Sequence, residues 1–266
     1  MLLVCDVGNT NVSVGVFDRE ILLFHSKLST VLDRSSDEYA LLFSGVMTMN
    51  HVDSSAIDGA IISSVVRPLS AVIYQAIETL CGVRPLQVGP GVKTGLNIKT
   101  DIPSQIGADL VANAVGAIHL SPCPLVIVAL GTATTLTVIS ENCELCGVII
   151  CPGVRSSLDA LSESAADLPC IALDSPKSLL GRNTIDSMQN GIIYGSASMV
   201  DGLIDRIKDE IKREDMYIIA TGGLADKIIP YCKESHKIRI EKNLTLLGLK
   251  KIFDFHSHRK PDIRAT

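Results

Sequence analysis

Val4-Cys-Asp-Val-Gly-Asn-Thr10 ends the first apolar run of the chain, and 123 positions later Ile127-Val-Ala-Leu-Gly-Thr-Ala133 ends another. Each is a run of β-prone residues closed by a Gly-polar turn, the signature of a strand entering a hairpin. The flanking pattern repeats as well. Residues 2–7, 12–17 and 21–26 read as a three-stranded meander, followed by a helix over 36–50 opened by Ser-Ser-Asp. A strand over 60–65, a helix after Pro68 to about Cys81 and a short strand near Leu86 complete the half. In the second half, strands over 125–129, 134–139 and 145–150 precede helical pattern over 156–166 and a long amphipathic helix over 185–212. A strand over 216–220, a turn at Gly222-Gly223 and a further helix close it. Matched element order points to an α/β fold built by duplication. The expected lobes are 1–118 and 119–266, parted in or just after a helix over 107–120, at Ser121-Pro122.

Composition excludes several classes. The 266 residues are 47% hydrophobic and 20% charged, enough apolar surface to bury a core and too much for a disordered chain. The net charge of −5 offers no basic field for nucleic-acid phosphates. With no Trp and 4% aromatic residues there is no stacking platform for bases or sugars. The first residues, MLLVCDVGNT, lack a basic leader, and no apolar run reaches membrane-spanning length. A cytoplasmic location is expected. Cys5, Cys81, Cys123, Cys151 and Cys170 then read as small buried hydrophobes, and the Cys143-Glu-Leu-Cys146 spacing is a weak zinc signal. Lys250 to Lys260, which includes His256 and His258, reads as a mildly basic solvated tail.

Three Gly turns carry candidate chemistry. Gly8 lets backbone N–H groups face a phosphate, Asn9 and Thr10 add side-chain donors, and Asp6 can hold Mg²⁺ beside them. An ordinary Asx-type hairpin turn is the plainer reading. Gly131-Thr-Ala-Thr-Thr135 repeats the arrangement, and Thr221-Gly-Gly223 suits close approach of a nucleoside. Asp109 reads either as a base or as an acid complementing a helix N-terminus, whose dipole would lower its pKa. Asn183, Thr184 and Ser187 are equally candidate caps of the long helix.

Taken in order, these motifs resemble a known family. Asp6-x-Gly-Asn-Thr10, Gly107-Ala-Asp109, Gly131-Thr-Ala-Thr-Thr135, Pro152-Gly153, Gly181-Arg-Asn-Thr184, Thr221-Gly-Gly223 and Leu244-Thr-Leu-x-Gly-Leu249 look like type III pantothenate kinase over nearly the whole chain. The resemblance implies the actin-like ATPase fold, two ribonuclease-H-like lobes with a nucleotide cleft between them. It implies phosphorylation of pantothenate with ATP and Mg²⁺, the first step toward coenzyme A. Asp6, Val7, Gly8, Asn9, Thr10, Asn11, Val12 and Ser13 would then bind ATP, with Asp6 near Mg²⁺ and Thr132 touching the nucleotide. Gly107, Ala108, Asp109 and Leu110 would frame pantothenate, Asp109 as general base. Thr184 would hold pantothenate from the neighbouring subunit or lobe of a homodimer.

Three positions depart from the family pattern. Leu110 stands where an arginine is usual, Ala129 where an aspartate ligates a monovalent cation (K⁺ or NH₄⁺), and Thr100 where a tyrosine is usual. Without the arginine, pantothenate is expected to bind about tens- to hundreds-fold more weakly, and a tight-binding chain would point to Lys99 or Arg182 in its place. The same departures keep a second reading open, a weakly active or inactive relative with a regulatory or accessory role.

Overall fold

The computed structural model describes residues 1–165 and 167–257. They form two compact units, Met1–Leu120 together with the residues from Asn243 onward, and Ser121–Lys242. The first unit opens with the expected meander: β1 (Leu2–Val7), β2 (Asn11–Asp18) and β3 (Ile21–Ser29), antiparallel neighbours in that order. Helix α1 (Ser36–Met49) starts at a reciprocal cap, in which the Glu38 N–H donates to Ser35 Oγ and the Ser35 N–H to Glu38 Oε2. Strand β4 (Gly59–Ser64) lies parallel to β1, helix α2 (Arg67–Cys81) follows, and β5 (Leu86–Gln87) extends the sheet to the order β3-β2-β1-β4-β5. A short β6 (Asn97–Ile98) then leads to helix α3 (Ala108–Leu120).

Strand periodicity decides which way β1 points its side chains. Leu3, Cys5 and Val7 pack into a core with Phe43 of α1 and Ile73 of α2. Leu2 and Val4 face the opposite side and join Val111 and Val115 of α3. Asp6 shares the parity of Leu2 and Val4, so alternation directs it to the α3 side of the sheet.

The second unit repeats the order. Strands β7 (Leu125–Leu130), β8 (Ala133–Ile139) and β9 (Glu144–Pro152) form the meander, and helices α4 (Val154–Ser164) and α5 (Thr184–Ile211) follow. Strand β10 (Tyr217–Thr221), the single-turn α6 (Ala225–Ile228) and β11 (Ile238–Ile240) complete the run β11-β10-β7-β8-β9. Asn183 caps α5 by accepting from the Asp186 N–H, as its position before the helix suggests. Val126 and Val128 of β7 pack with Val200 and Ile204 of α5 in a separate core.

The last helix, α7 (Leu244–Ser257), departs from two expectations. Residues from Asn243 onward belong with the first unit rather than the second, because α7 lies across α3. Gly116 of α3 and Gly248 of α7 make that crossing possible: a Cβ on Gly248 would overlap the Ala112 carbonyl, and one on Gly116 would come within 2.7 Å of the Leu244 carbonyl. Thr245 Oγ1 donates to Asn113 Oδ1 across the same contact. Nor is residues 250–257 a solvated tail. Lys250 is buried and pairs with Glu20 at 2.5 Å and Asp254 at 2.6 Å, while Ile252 sits in the core. The rest of the expected tail, His258 to Lys260, lies outside the described residues.

The cysteines also differ from expectation. Cys123 and Cys143 form a disulfide, which removes both from the free thiols and leaves Cys146 exposed without its CxxC partner. Among the described residues no three His, Cys, Asp or Glu side chains converge as a metal site. Cys5 is buried as expected, whereas Cys170 is exposed.

Candidate active site

The carboxyl end of β1 gathers the first group of site residues. Asp6 lies between Ser13 of β2 and Ser63 of β4 in the strand register, and Ser63 Oγ donates to Asp6 Oδ1 at 2.5 Å. Burial pushes the Asp6 carboxyl up to about 7, and the nearby charge of Asp109 adds to the rise against the lowering effect of the Ser63 bond. Asp6 therefore feels the charge of the second predicted carboxylate.

The turn after β1 is tight. The Gly8 N–H donates to Asn11 O at 3.0 Å, and Thr30 Oγ1 donates to Gly8 O at 2.6 Å. The φ of Gly8 is not positive, so backbone conformation does not require glycine there. Space is the remaining reason, since a Cβ would lie 3.2 Å from Asn11 O. Of the expected nucleotide residues, Asn9, Thr10 and Asn11 are exposed, and Gly8 and Ser13 are partly so. Val7 and Val12 are fully buried in the core, so only their backbone can reach a ligand.

Asp109 is the second residue of α3. Gly107 makes room for it, since a Cβ at 107 would stand 2.5 Å from Asp109 Oδ1. The helix N-terminus was expected to lower the Asp109 pKa. Instead, burial raises it above the ordinary carboxylate range, outweighing the bonds from the backbone N–H groups of Leu110 and Asp109. A raised pKa makes a stronger base at neutral pH.

A cavity of about 870 Å³, large enough for a small organic ligand, reaches Ser64 and Ala108, the chain neighbours of Ser63 and Asp109, although neither Asp6 nor Asp109 lines it. Gly107 and Ala108 form part of its wall; Val65, Val88 and Ile106 give it an apolar side, and Ser104 and Gln105 a polar one. Leu110, Thr100 and Lys99 do not line it. Leu110 is buried on α3, and the buried Thr100 hydroxyl has no hydrogen-bond partner. Arg67, at the first position of α2, does line the cavity. Sequence reasoning missed it, because only the fold brings the start of α2 beside the loops at 88–96 and 103–108.

The second unit holds the remaining predicted residues. Thr132 is exposed in the β7–β8 turn, where Ser156 Oγ donates to its carbonyl at 3.1 Å and where a Cβ on Gly153 would overlap that carbonyl. Gly222 has φ +98°, and a Cβ there would lie 2.5 Å from Leu130 O, so the third turn does require glycine. Ala129 lies between Thr135 of β8 and Thr221 of β10. Thr134 and Thr135 each bury a hydroxyl oxygen without a partner. Thr184 is exposed at the first turn of α5, and a Cβ on Gly181 would collide with Ser187.

Comparison with known proteins identifies the family. The family model described as type III pantothenate kinase matches residues 2–206. A type III pantothenate kinase from Halalkalibacterium halodurans is 44% identical over 253 residues, covering 95% of this chain and 98% of that protein. Among solved structures, the activator of 2-hydroxyisocaproyl-CoA dehydratase from Clostridium difficile with bound ADPNP has a TM-score of 0.60 at 13% identity, covering 99% of each chain. A ROK family glucokinase from Streptomyces griseus has a TM-score of 0.50 at 14% identity, covering 97% of this chain and 99% of that one. These two likenesses show the fold, that of actin-like ATPases and sugar kinases, in keeping with the two matched units. The chain belongs to the type III pantothenate kinase family.

Proposed function

We propose that the protein phosphorylates the primary hydroxyl of pantothenate with ATP, and that Asp6 and Asp109 are the two carboxylates through which it does so. The observation that carries this reading is the position of Asp109 at the start of α3, directly after Gly107 and Ala108, which form part of the wall of the 870 Å³ cavity. In a chain of this family the cavity takes pantothenate, and the Gly8–Thr10 turn takes the phosphates of the nucleotide.

Phosphoryl transfer depends mostly on positioning and charge neutralisation. Asp109 Oδ1, in the space that Gly107 leaves, accepts the proton of the attacking hydroxyl. Its raised pKa fits that role, and the rate should rise with pH as the carboxyl ionises. Asp6 suits a magnesium ion. Its pKa is raised because burial and Asp109 penalise its charge, and a hard divalent cation relieves that penalty. When bound with ATP, Mg²⁺ supplies charge neutralisation at the phosphates. Ala129 does not suit a monovalent cation, since a methyl group stands between Thr135 and Thr221 in the strand register and supplies no oxygen ligand. The enzyme is therefore expected to act without K⁺.

We further infer a cytoplasmic homodimer in which the exposed Thr184 of one subunit completes the pantothenate site of the other. Phosphorus NMR of a reaction holding ATP, Mg²⁺ and pantothenate tests the chemistry. A phosphomonoester signal for 4'-phosphopantothenate, appearing with ADP, is expected. ATP left intact in the presence of folded protein would contradict the proposal.

A further inference from the structure

Among the described residues, Arg67 is the single charged one on the wall of the 870 Å³ cavity. The rest of the wall is glycine, proline, aliphatic side chains and neutral polar groups such as Thr94 and Gln105. The guanidinium is not spent elsewhere, since among the described residues no carboxylate pairs with it. Arg67 is also the first residue of the fifteen-residue α2, whose cap Val66 has no side chain to satisfy the helix N-terminus. The partial positive charge of that terminus adds to the guanidinium on the same side.

Pantothenate is itself an anion, with its carboxylate at the opposite end of the molecule from the primary hydroxyl. A carboxylate taken from water into a mostly neutral cavity needs a counter-charge. The hydroxyl end belongs beside Asp109, at the Gly107–Ala108 part of the wall. The geometry points to Arg67 as the residue that binds the substrate carboxylate and so selects acids over neutral analogues. This rests on the pantothenate reading above and deepens it. Leu110 is buried on α3 without a charge, and Lys99 does not line the cavity. The carboxylate thus meets its cation at the start of α2.

The test compares pantothenate with pantothenol, in which a CH₂OH group replaces the carboxylate, in wild type, Arg67→Gln and Arg67→Lys. Arg67 is exposed, and each variant is checked for an unchanged melting temperature. Wild type should show a KM for pantothenate about tenfold to a hundredfold below that for pantothenol. Arg67→Gln should raise the pantothenate KM to the pantothenol level, with kcat and the pantothenol KM changed less than about twofold, and Arg67→Lys should fall between. Added salt should raise the pantothenate KM of wild type and leave that of Arg67→Gln nearly flat. An unchanged pantothenate KM in an active Arg67→Gln enzyme, or equal losses for both substrates, would overturn the assignment while leaving the kinase reading intact. A wild-type protein that phosphorylates neither compound would overturn both.

Discussion

The two β-hairpin turns of the duplicated fold are the same device with different chemistry. Strands β1 and β7 have the same burial pattern, five buried positions and one half-open position, and the half-open one is Asp6 in the first and Ala129 in the second. Each is flanked by hydroxyl residues on both neighbouring strands, Ser13 and Ser63 for Asp6, Thr135 and Thr221 for Ala129. Backbone and packing have been kept while the carboxylate is present in one copy alone. A fold needs the turn; a kinase needs the charge only where the phosphates and the attacking hydroxyl meet.

Exchanging function between the two positions gives the largest expected effect. Asp6→Asn should lower turnover by at least about a hundredfold, as removal of a group that stabilises transition-state charge does. Ala129→Asn should change it by less than about twofold. Steady-state ADP release decides this, and equal losses at the two positions would erase the asymmetry.

Stability should show the opposite asymmetry. Gly222→Ala forces a side chain into a left-handed backbone and against Leu130, which should cost about 2–3 kcal/mol in denaturant unfolding. Gly8→Ala, with ordinary φ and one close carbonyl, should cost less than about 1 kcal/mol. The Gly8 turn is thus free to be tuned for ligand, while the Gly222 turn is held by the fold.

Restoring the missing acid sharpens the comparison further. Ala129→Asp should make turnover respond to K⁺, with a rise of about threefold to tenfold that Na⁺ does not reproduce. Wild type should be indifferent to both. Strong K⁺ activation of the unmodified enzyme would show that another oxygen ligand stands in for the absent carboxylate.

The smallest expected effect concerns pH. The folded pKa of Asp6, about 7, lies above its unfolded value, so the fold binds this proton more tightly than the open chain does. Stability from this group is therefore full below the unfolded pKa and is lost as pH rises through the folded one. Without ligand, Asp6→Asn should melt higher than wild type at pH 8 by a few degrees, and the gap should close near pH 4. A gap independent of pH would mean that burial does not hold the Asp6 charge at a cost.

The meanders were legible because their alternation is local: residues 2–7 and 21–26 needed only period-two patterning and turns. Asp6, Gly8 and Asp109 were legible as motifs, and the parity of β1 explains why Asp6 faces the α3 side of the sheet. Three features depended on long-range packing. The Gly116–Gly248 crossing that carries α7 back onto α3 depends on a close approach between residues far apart in sequence. Lys250 looked like a solvent residue and is buried, because Glu20, distant in the chain, supplies its counter-charge. Arg67 had no motif at all, and only the cavity gives it meaning. The Asp109 pKa was expected to move the wrong way because a helix dipole can be read from sequence and burial of a partly enclosed carboxyl cannot.

The pantothenate-dependent release of ADP by Asp109→Asn, set beside wild type under saturating ATP and Mg²⁺, tests the central claim most directly. The account expects wild type to release ADP only when pantothenate is present and the variant to turn over about 10²–10⁴-fold more slowly, with its KM for ATP and its melting temperature nearly unchanged. A variant that is folded and as fast as wild type would contradict it and remove Asp109 from the reaction.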